Sequence, residues 1–252
     1  MRLKALTDET DRVTGMSDVA IITGGTGAIG GAVAATLQDS MITIVAADLD
    51  ESPVPAGQVF QPCDVTDPQS LTSLFARAES LGTVRHVIAC HGVLLETPAG
   101  STAPEAVDKV LDINLKGVAY LCDMAAARLA QDSSIVLISS VTSFMGRAKN
   151  AFAYQASKAG VESLTRTFAV ACGPKGIRVN CIAPGFMAVP MKGAGAELRQ
   201  RQGGSESVRQ ATPLGRTIEG QDIANAVAFL CSPQASAITG AILAVDAGMG
   251  AL

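Results

Sequence analysis

The chain has 252 residues, a formal net charge of −4 and a pI near 5.2, an acidic balance that argues against nucleic acid as its main partner. No apolar run approaches the roughly 18 residues needed to span a bilayer, and the polar, mixed-charge N-terminus does not read as a signal peptide. Hydrophobic residues make up 48% with only 4% aromatic and no Trp, a composition rich in small aliphatic side chains that suits helices packed closely on a parallel sheet in one domain.

In chain order, residues 1–17 carry many charges and no useful periodicity, and read as a peripheral tail before a domain spanning 18–252. From Val19, short apolar strands alternate with helical stretches. Strands are predicted at 19–23, 42–47, 57–63, 84–90, 134–139, 177–182 and 241–246. Helices are predicted near 29–38, 67–81, 103–131, 152–173 and 219–231. This order implies an α/β fold, a doubly wound, Rossmann-type and mainly parallel seven-stranded sheet with right-handed crossovers and helices on both faces. Ligands on such sheets bind beyond the carboxyl ends of the strands. Residues 49–58 break the alternation, because two prolines join two strands with no room for a full helix. Cys63, Cys90, Cys122, Cys172, Cys181 and Cys231 are scattered without a Cys-x-x-Cys pair, as expected of reduced thiols in a cytoplasmic protein.

Chemistry first appears at Thr23-Gly24-Gly25-Thr26-Gly27-Ala28-Ile29-Gly30, which follows the first predicted strand and opens the first helix. Missing side chains there let backbone N–H groups and a helix N-terminus approach a pyrophosphate, so Gly24, Gly27, Ala28, Ile29 and Gly30 are candidate dinucleotide contacts. Asp48 closes the second strand 18 residues beyond Gly30, where a dinucleotide site wants a carboxylate for the adenosine ribose hydroxyls. A carboxylate accepts hydrogen bonds from a free 2′-OH and repels a 2′-phosphate, and Leu49, Asp50 and Glu51 bring no cation; NAD is therefore expected over NADP. His86 reads as structural, whereas His91 stands at a strand's carboxyl end near the cofactor. Farther along, Ser139-Ser140 ends an apolar run. Tyr154-Gln155-Ala156-Ser157-Lys158 then sets a phenol and an ammonium about one turn apart on one helix face. The ammonium is expected to lower the phenol pKa and make Tyr154 a usable acid or base near neutrality. No His/Cys/Asp cluster at ligand spacing suggests a metal.

With these motifs in this order, the chain from Val19 to its end resembles the classical short-chain dehydrogenase/reductases. Cys63-Asp64-Val65 resembles the family segment whose Asp contacts the adenine amine. Ala89-Cys90-His91-Gly92 occupies the place of the usual Asn-Asn-Ala-Gly, which makes Ala89 and Gly92 backbone contacts to the cofactor. Asn114 in Asp-Ile-Asn-Leu-Lys-Gly, Ser140, Tyr154 and Lys158 match the catalytic tetrad, with Ser139 the alternative to Ser140. Pro184-Gly185-Phe186-Met187 matches the loop on the nicotinamide face, so Pro184, Gly185 and Met187 join the cofactor contacts; Val189 stands where the family often has Thr. The resemblance implies that Ser140 positions the substrate oxygen and Tyr154 acts as general acid/base. It implies that Lys158 tunes Tyr154 and holds the ribose, and that Asn114 supports a proton relay.

The implied activity is NAD-dependent interconversion of a small-molecule secondary alcohol and a ketone. A 3-oxoacyl-thioester reductase is the alternative enzyme, and a non-catalytic dinucleotide sensor the alternative of another class. Residues 187–212, with Gly193, Gly195, Gly203 and Gly204 as hinges, are expected to form a substrate lid. Its cations Lys192, Arg199, Arg201 and Arg209, with Arg147 and Lys149, suit either a carboxylate or phosphate group or an ordinary solvated surface. Phe144, Met145, Phe152, Phe186 and Met191 offer apolar contact area. Family members of this size are usually tetramers, sometimes dimers, so a homotetramer is expected.

Overall fold

A computed structural model describes residues 17–146, 150–187, 209–210 and 212–251. Seven strands form one sheet: β1 (Asp18–Thr23), β2 (Thr43–Asp48), β3 (Gln58–Pro62), β4 (Thr83–Ala89), β5 (Ser134–Ile138), β6 (Arg178–Pro184) and β7 (Ile242–Val245). Their order across the sheet is β3-β2-β1-β4-β5-β6-β7 and every pairing is parallel, so the expected "mainly parallel" sheet is parallel throughout. Among the described residues the α-helices are α1 (Ala28–Gln38), α2 (Pro68–Glu79), α3 (Pro104–Leu111), α4 (Gly117–Arg128), α5 (Phe152–Cys172) and α6 (Gly220–Cys231).

Alternation within β1 shows why both faces are covered. Val19 and Ile21 point into a core built with Leu71, Leu74 and Phe75 of α2, Leu121 of α4 and Val161 of α5. Ala20 and Ile22 point the other way, into a core with Val33 and Leu37 of α1 and Ile223 and Val227 of α6. A strand buried on both faces has apolar residues at odd and even positions alike, which is why it reads as an unbroken apolar run. Among the described residues no helix is long and apolar enough to cross a membrane. All six cysteines are free thiols.

One departure from the sequence reading and one expected break shape the surroundings of the site. The single helix expected over 103–131 is two helices joined by a π turn, Asp112–Lys116. The wider i→i+5 turn inserts one residue, and Asn114 sits on it, fully buried. At the other break, the β2–β3 link of 49–57 has no helix because it needs none. Its nine residues reach about 30 Å when extended, more than the roughly 20 Å length of β2. Gln38, the last residue of α1, anchors this link: its Nε2 donates to the Ala56 carbonyl at 2.8 Å, and its Oε1 accepts from Gln58 Nε2 at 2.8 Å. Without a covering helix, Gln58–Gln61 of the edge strand β3 stay half-exposed.

The expected lid over 187–212 lies outside the described residues apart from Met187, Arg209, Gln210 and Thr212. So do residues 1–16, Arg147, Lys149, Val189 and Met191.

If Gln38 holds the link as described, Gln38→Ala removes two hydrogen bonds worth about 1–2 kcal/mol together and lowers Tm by roughly 2–6 °C. Hydrogen exchange should quicken in 49–57 and stay unchanged in α5; an unchanged 49–57 would count against the anchor.

Candidate active site

At the carboxyl ends of β1, β2, β4, β5 and β6 the chain encloses a cavity of about 870 Å³. One end is walled by the glycine turn, Asp48 and Asp64. The other is walled by Ser140, Tyr154, Lys158 and Pro184–Met187.

The glycine turn collapses onto the end of β4. Gly24 has φ +67°, and a Cβ there would lie 2.7 Å from the His91 amide nitrogen. A Cβ on Gly30 would lie 2.1 Å from the Gly24 carbonyl oxygen, so only glycine lets α1 start this close to the turn. α1 has Gly27 as its N-cap, no side-chain cap and no acidic residue in its first turn. By contrast, the Asp67 side chain caps α2 by accepting from the Gln69 and Ser70 amides. The first amides of α1 therefore face the cavity without a side-chain acceptor, which is an anion seat. Asp48 is held rigidly beside it. Its Oδ2 accepts from Thr26 Oγ1 at 2.5 Å and Thr26 N at 3.3 Å, and its Oδ1 accepts from Leu49 N at 3.0 Å. Asp64 Oδ1 accepts from Thr66 N at 2.8 Å and Thr66 Oγ1 at 2.7 Å, and buried Val65 lines the wall beside it. An amide cradle that Cβ atoms would fill, next to two fixed carboxylates, fits a dinucleotide.

At the chemical end, Ser140 leaves β5 in extended geometry. Its Oγ accepts from Thr142 Oγ1 at 3.0 Å and Thr142 N at 3.3 Å, leaving its own hydrogen to donate. Ser139 turns away: its hydroxyl donates to Glu162 Oε1 at 2.7 Å. Of the two serines, Ser140 is the one that hydrogen-bonds Tyr154. Tyr154 and Lys158 stand one turn apart on α5, with Lys158 Nζ 5.7 Å from the phenol ring centroid. The ammonium donates to the Ile138 carbonyl at 2.9 Å, and burial lowers its pKa to about 8. The Tyr154 pKa behaves otherwise than the sequence suggested. Burial raises it, the Ser140 hydrogen bond pulls it partly back, and the amine is engaged with Ile138.

Asn114 stands behind the wall. Its amide pairs with the backbone of Val93, Oδ1 accepting from Val93 N and Nδ2 donating to Val93 O, both at 2.8 Å. Nδ2 also reaches Ser157 Oγ at 3.3 Å, tying the segment after β4 to α5 next to Lys158. A Cβ on Gly92 would meet Asn114 Oδ1 at 3.3 Å and Lys158 Nζ at 3.4 Å, so the glycine keeps those two groups close. Ala89 does not reach the cavity, because its side chain is buried in β4; Cys90 and His91 line it instead. His91 Nδ1 lies 2.6 Å from Thr23 Oγ1, and burial and then the nearby Lys158 push its pKa down to about 3, leaving a neutral imidazole. His86 pairs with Ser134 at 2.9 Å inside the sheet, away from the site.

Sequence reasoning passed over Thr26, Thr142 and the apolar Leu94 and Leu95, all of which line the cavity. Thr26 had a signal, since it stands within the glycine turn; Leu94 and Leu95 had none beyond following Gly92.

A family model described as enoyl-(acyl carrier protein) reductase matches residues 25–250. The cis-4-hydroxycyclohexanecarboxylate dehydrogenase of Sinomonas cyclohexanicum is 35% identical, covering 93% of this chain and 97% of that protein. A 3-oxoacyl-(acyl-carrier-protein) reductase of Rickettsia felis is 34% identical over 91% of this chain and 95% of its own length. The ligand-free structure of Thermoplasma acidophilum aldohexose dehydrogenase superposes with a TM-score of 0.83 at 27% identity, covering 94% of this chain and 95% of that one. With its all-parallel sheet and these relatives along nearly its whole length, the chain belongs to the short-chain dehydrogenase/reductase family of oxidoreductases.

Proposed function

We propose that the chain is an NAD-dependent oxidoreductase interconverting a secondary alcohol and a ketone, with Tyr154 as general acid/base. One observation carries this reading: Ser140, Tyr154 and Lys158 converge at one end of a cavity whose other end holds the fixed Asp48 carboxylate. Bound nicotinamide dinucleotide supplies the hydride donor and acceptor. The α1 amides and glycine turn hold its pyrophosphate, Asp48 its adenosine ribose, Asp64 and Val65 its adenine, and Gly92 and Pro184–Met187 border its nicotinamide end. Lys158 holds the second ribose through the ammonium hydrogens that Ile138 leaves over. Ser140, with its lone pairs taken up by Thr142, turns its one hydrogen from Tyr154 to the substrate oxygen and holds that oxygen beside the phenol. Tyr154 gives that oxygen its proton in reduction and removes it in oxidation. Asn114 fixes Val93 and Ser157 and so sets the walls on either side of Lys158.

The walls next to Ser140 and Tyr154 are apolar, with Leu94, Leu95, Phe186 and Met187 lining the cavity. They suit a ring or hydrocarbon body on the substrate, as an alicyclic hydroxy acid would offer. The match to the acyl-carrier-protein reductase model and the Rickettsia relative support a second reading, reduction of a 3-oxoacyl thioester. Exposed Phe229 of α6 and Leu243 of β7 offer apolar surface for contact between subunits of the proposed homo-oligomer.

Three measurements test the assignment. NADH formation with a panel of cyclic and acyclic secondary alcohols should be clear in the wild type and fall about 10²- to 10⁴-fold in Tyr154→Phe. Retained turnover in that variant would remove Tyr154 from the mechanism, and faster turnover of 3-oxoacyl thioesters than of ketones would select the second reading. Asp48→Ala should cost about 10- to 100-fold in kcat/KM with NAD and improve NADP relative to it, because the variant loses a charged hydrogen bond and a repulsion together. A wild type that prefers NADP would overturn the cofactor assignment. Lys158 is cationic below its pKa of about 8 and loses its charge above it. NADH affinity should therefore weaken as pH rises from 7 to 9, and this slope should vanish in Lys158→Met; a flat wild-type profile would remove the ammonium from cofactor binding.

A further inference from the structure

Glu162, a carboxylate with no role in the mechanism above, is built into the turn that carries Ser140. It follows Lys158 by four residues, so it lies one turn farther along the same face of α5, half-buried. Ser139 Oγ donates to its Oε1 at 2.7 Å, and Ser143 Oγ donates to the same oxygen. Ser143 Oγ also stands 2.6 Å from the Ser140 carbonyl, so its one hydrogen is shared between two acceptors. The Ser143 amide donates to that carbonyl as well, at 2.9 Å, closing the turn on Ser140. On the other flank, Ser139 N donates to the Ile182 carbonyl of β6 at 2.8 Å. One carboxylate thus grips the residue before Ser140 and the residue three after it, without touching the Ser140 hydroxyl.

That hydroxyl gains its direction from the turn. Ser140 Oγ accepts from Thr142, whose place between Ser140 and Ser143 depends on the same closure. Tyr154 stands eight residues before Glu162 on the same rigid helix, so a bond from Glu162 to the turn fixes the distance between turn and phenol. Hydrogen bonds to a carboxylate are shorter and stronger than neutral ones, which suits a clamp joining a loop to a helix.

We propose that Glu162 is a positioning residue for the reaction: by binding the hydroxyls on both sides of Ser140, it locks the 139–143 turn onto α5 and sets Ser140 against Tyr154. The inference rests on the proposed roles of Ser140 and Tyr154. A carboxylate that only stabilised the fold would act on Tm and leave kcat alone, and a cofactor residue would act on NADH affinity.

Glu162→Ala and Glu162→Gln should be made in the full chain and compared with wild type for kcat, KM, NADH affinity by fluorescence, and hydrogen exchange. Small displacements of reacting groups cost up to about 100-fold in rate, so Glu162→Ala should lose roughly 10- to 100-fold in kcat with NADH affinity within about threefold of wild type. Glu162→Gln keeps an oxygen that accepts from both hydroxyls and should recover most of that loss. Amides of 141–145 should exchange faster in Glu162→Ala, near the wild-type rate in Glu162→Gln, and α1 should not change in either. A Glu162→Ala protein that turns over within threefold of wild type, or one whose NADH affinity falls as far as its kcat, overturns the proposal. Should Glu162→Ala fail to fold, Ser139→Ala and Ser143→Ala remove the two donors singly, and the double variant must reproduce the kcat loss. If the wild type turns over no alcohol, ketone or thioester, the proposed reaction fails, while unequal exchange of 141–145 in the Ala and Gln variants still decides whether the clamp exists.

Discussion

A buried ammonium is costly unless it is hydrogen-bonded, and the proposed site is organised around the one at Lys158. Lys158 is 4% exposed, and its Nζ reaches the Ile138 carbonyl at the end of β5. That bond ties α5 to the strand end from which Ser140 departs, so it also brings the phenol to the serine. An ammonium has three hydrogens and Ile138 takes one, which leaves two donors toward the cavity. The cost of burial appears as a pKa lowered to about 8, a value at which the group is still largely charged at neutral pH. Gly92 belongs to the same arrangement, since a side chain there would crowd both Lys158 and Asn114.

The π turn solves a second packing problem. Asn114 must meet the backbone of Val93 on one side and Ser157 on the other, and a regular helix from 104 to 128 would carry position 114 about 100° away per residue of slippage. One inserted residue re-aims the side chain while the flanking helices keep their packing. The pairing of Asn114 with both polar atoms of Val93 then acts like one step of a strand ladder, and it holds the chain after β4 as it passes beneath the cavity. Order at the wall is obtained without a further strand.

Much of this was legible in the sequence, for identifiable reasons. Inner strands buried on both faces are continuous apolar runs and so were visible, as were the half-exposed edge strands β3 and β7, with ends off by a residue or two, as at Pro184, which extends β6 because its partner Val245 continues the register. The glycine turn was visible because only glycine fits it, and Tyr154 and Lys158 because helix spacing fixes their relation. The break in 103–131 was not visible, since a π turn has no period of its own. Nor was the direction of the Tyr154 pKa, because burial is a property of the assembled core and not of the Tyr-x-x-x-Lys spacing. Sequence spacing favoured Ser140 and left Ser139 as the alternative; contacts from Glu162 and Thr142, far apart in the chain, separate the two.

Tyr154, Lys158 and Glu162 are spaced by four residues along α5, so a phenol, an ammonium and a carboxylate follow one another about 6 Å apart on one slowly winding face. A helix of 21 residues packed on β6 is far stiffer than a loop, and it holds these three groups at distances that do not depend on the segments around the mouth of the cavity. The carboxylate faces the serine turn, the ammonium faces β5, and the phenol faces the open cavity. The recognition proposed for the opposite end rests on other elements: the β1–α1 turn and the strand end at Asp48, next to a helix-free β2–β3 link that hangs on Gln38. The two ends are joined where Thr23 Oγ1 meets His91 Nδ1 at 2.6 Å, away from the link and the apolar mouth. Residues of the link and of the apolar mouth are therefore free to alter what is bound, while the geometry proposed for proton transfer stays set by a single helix.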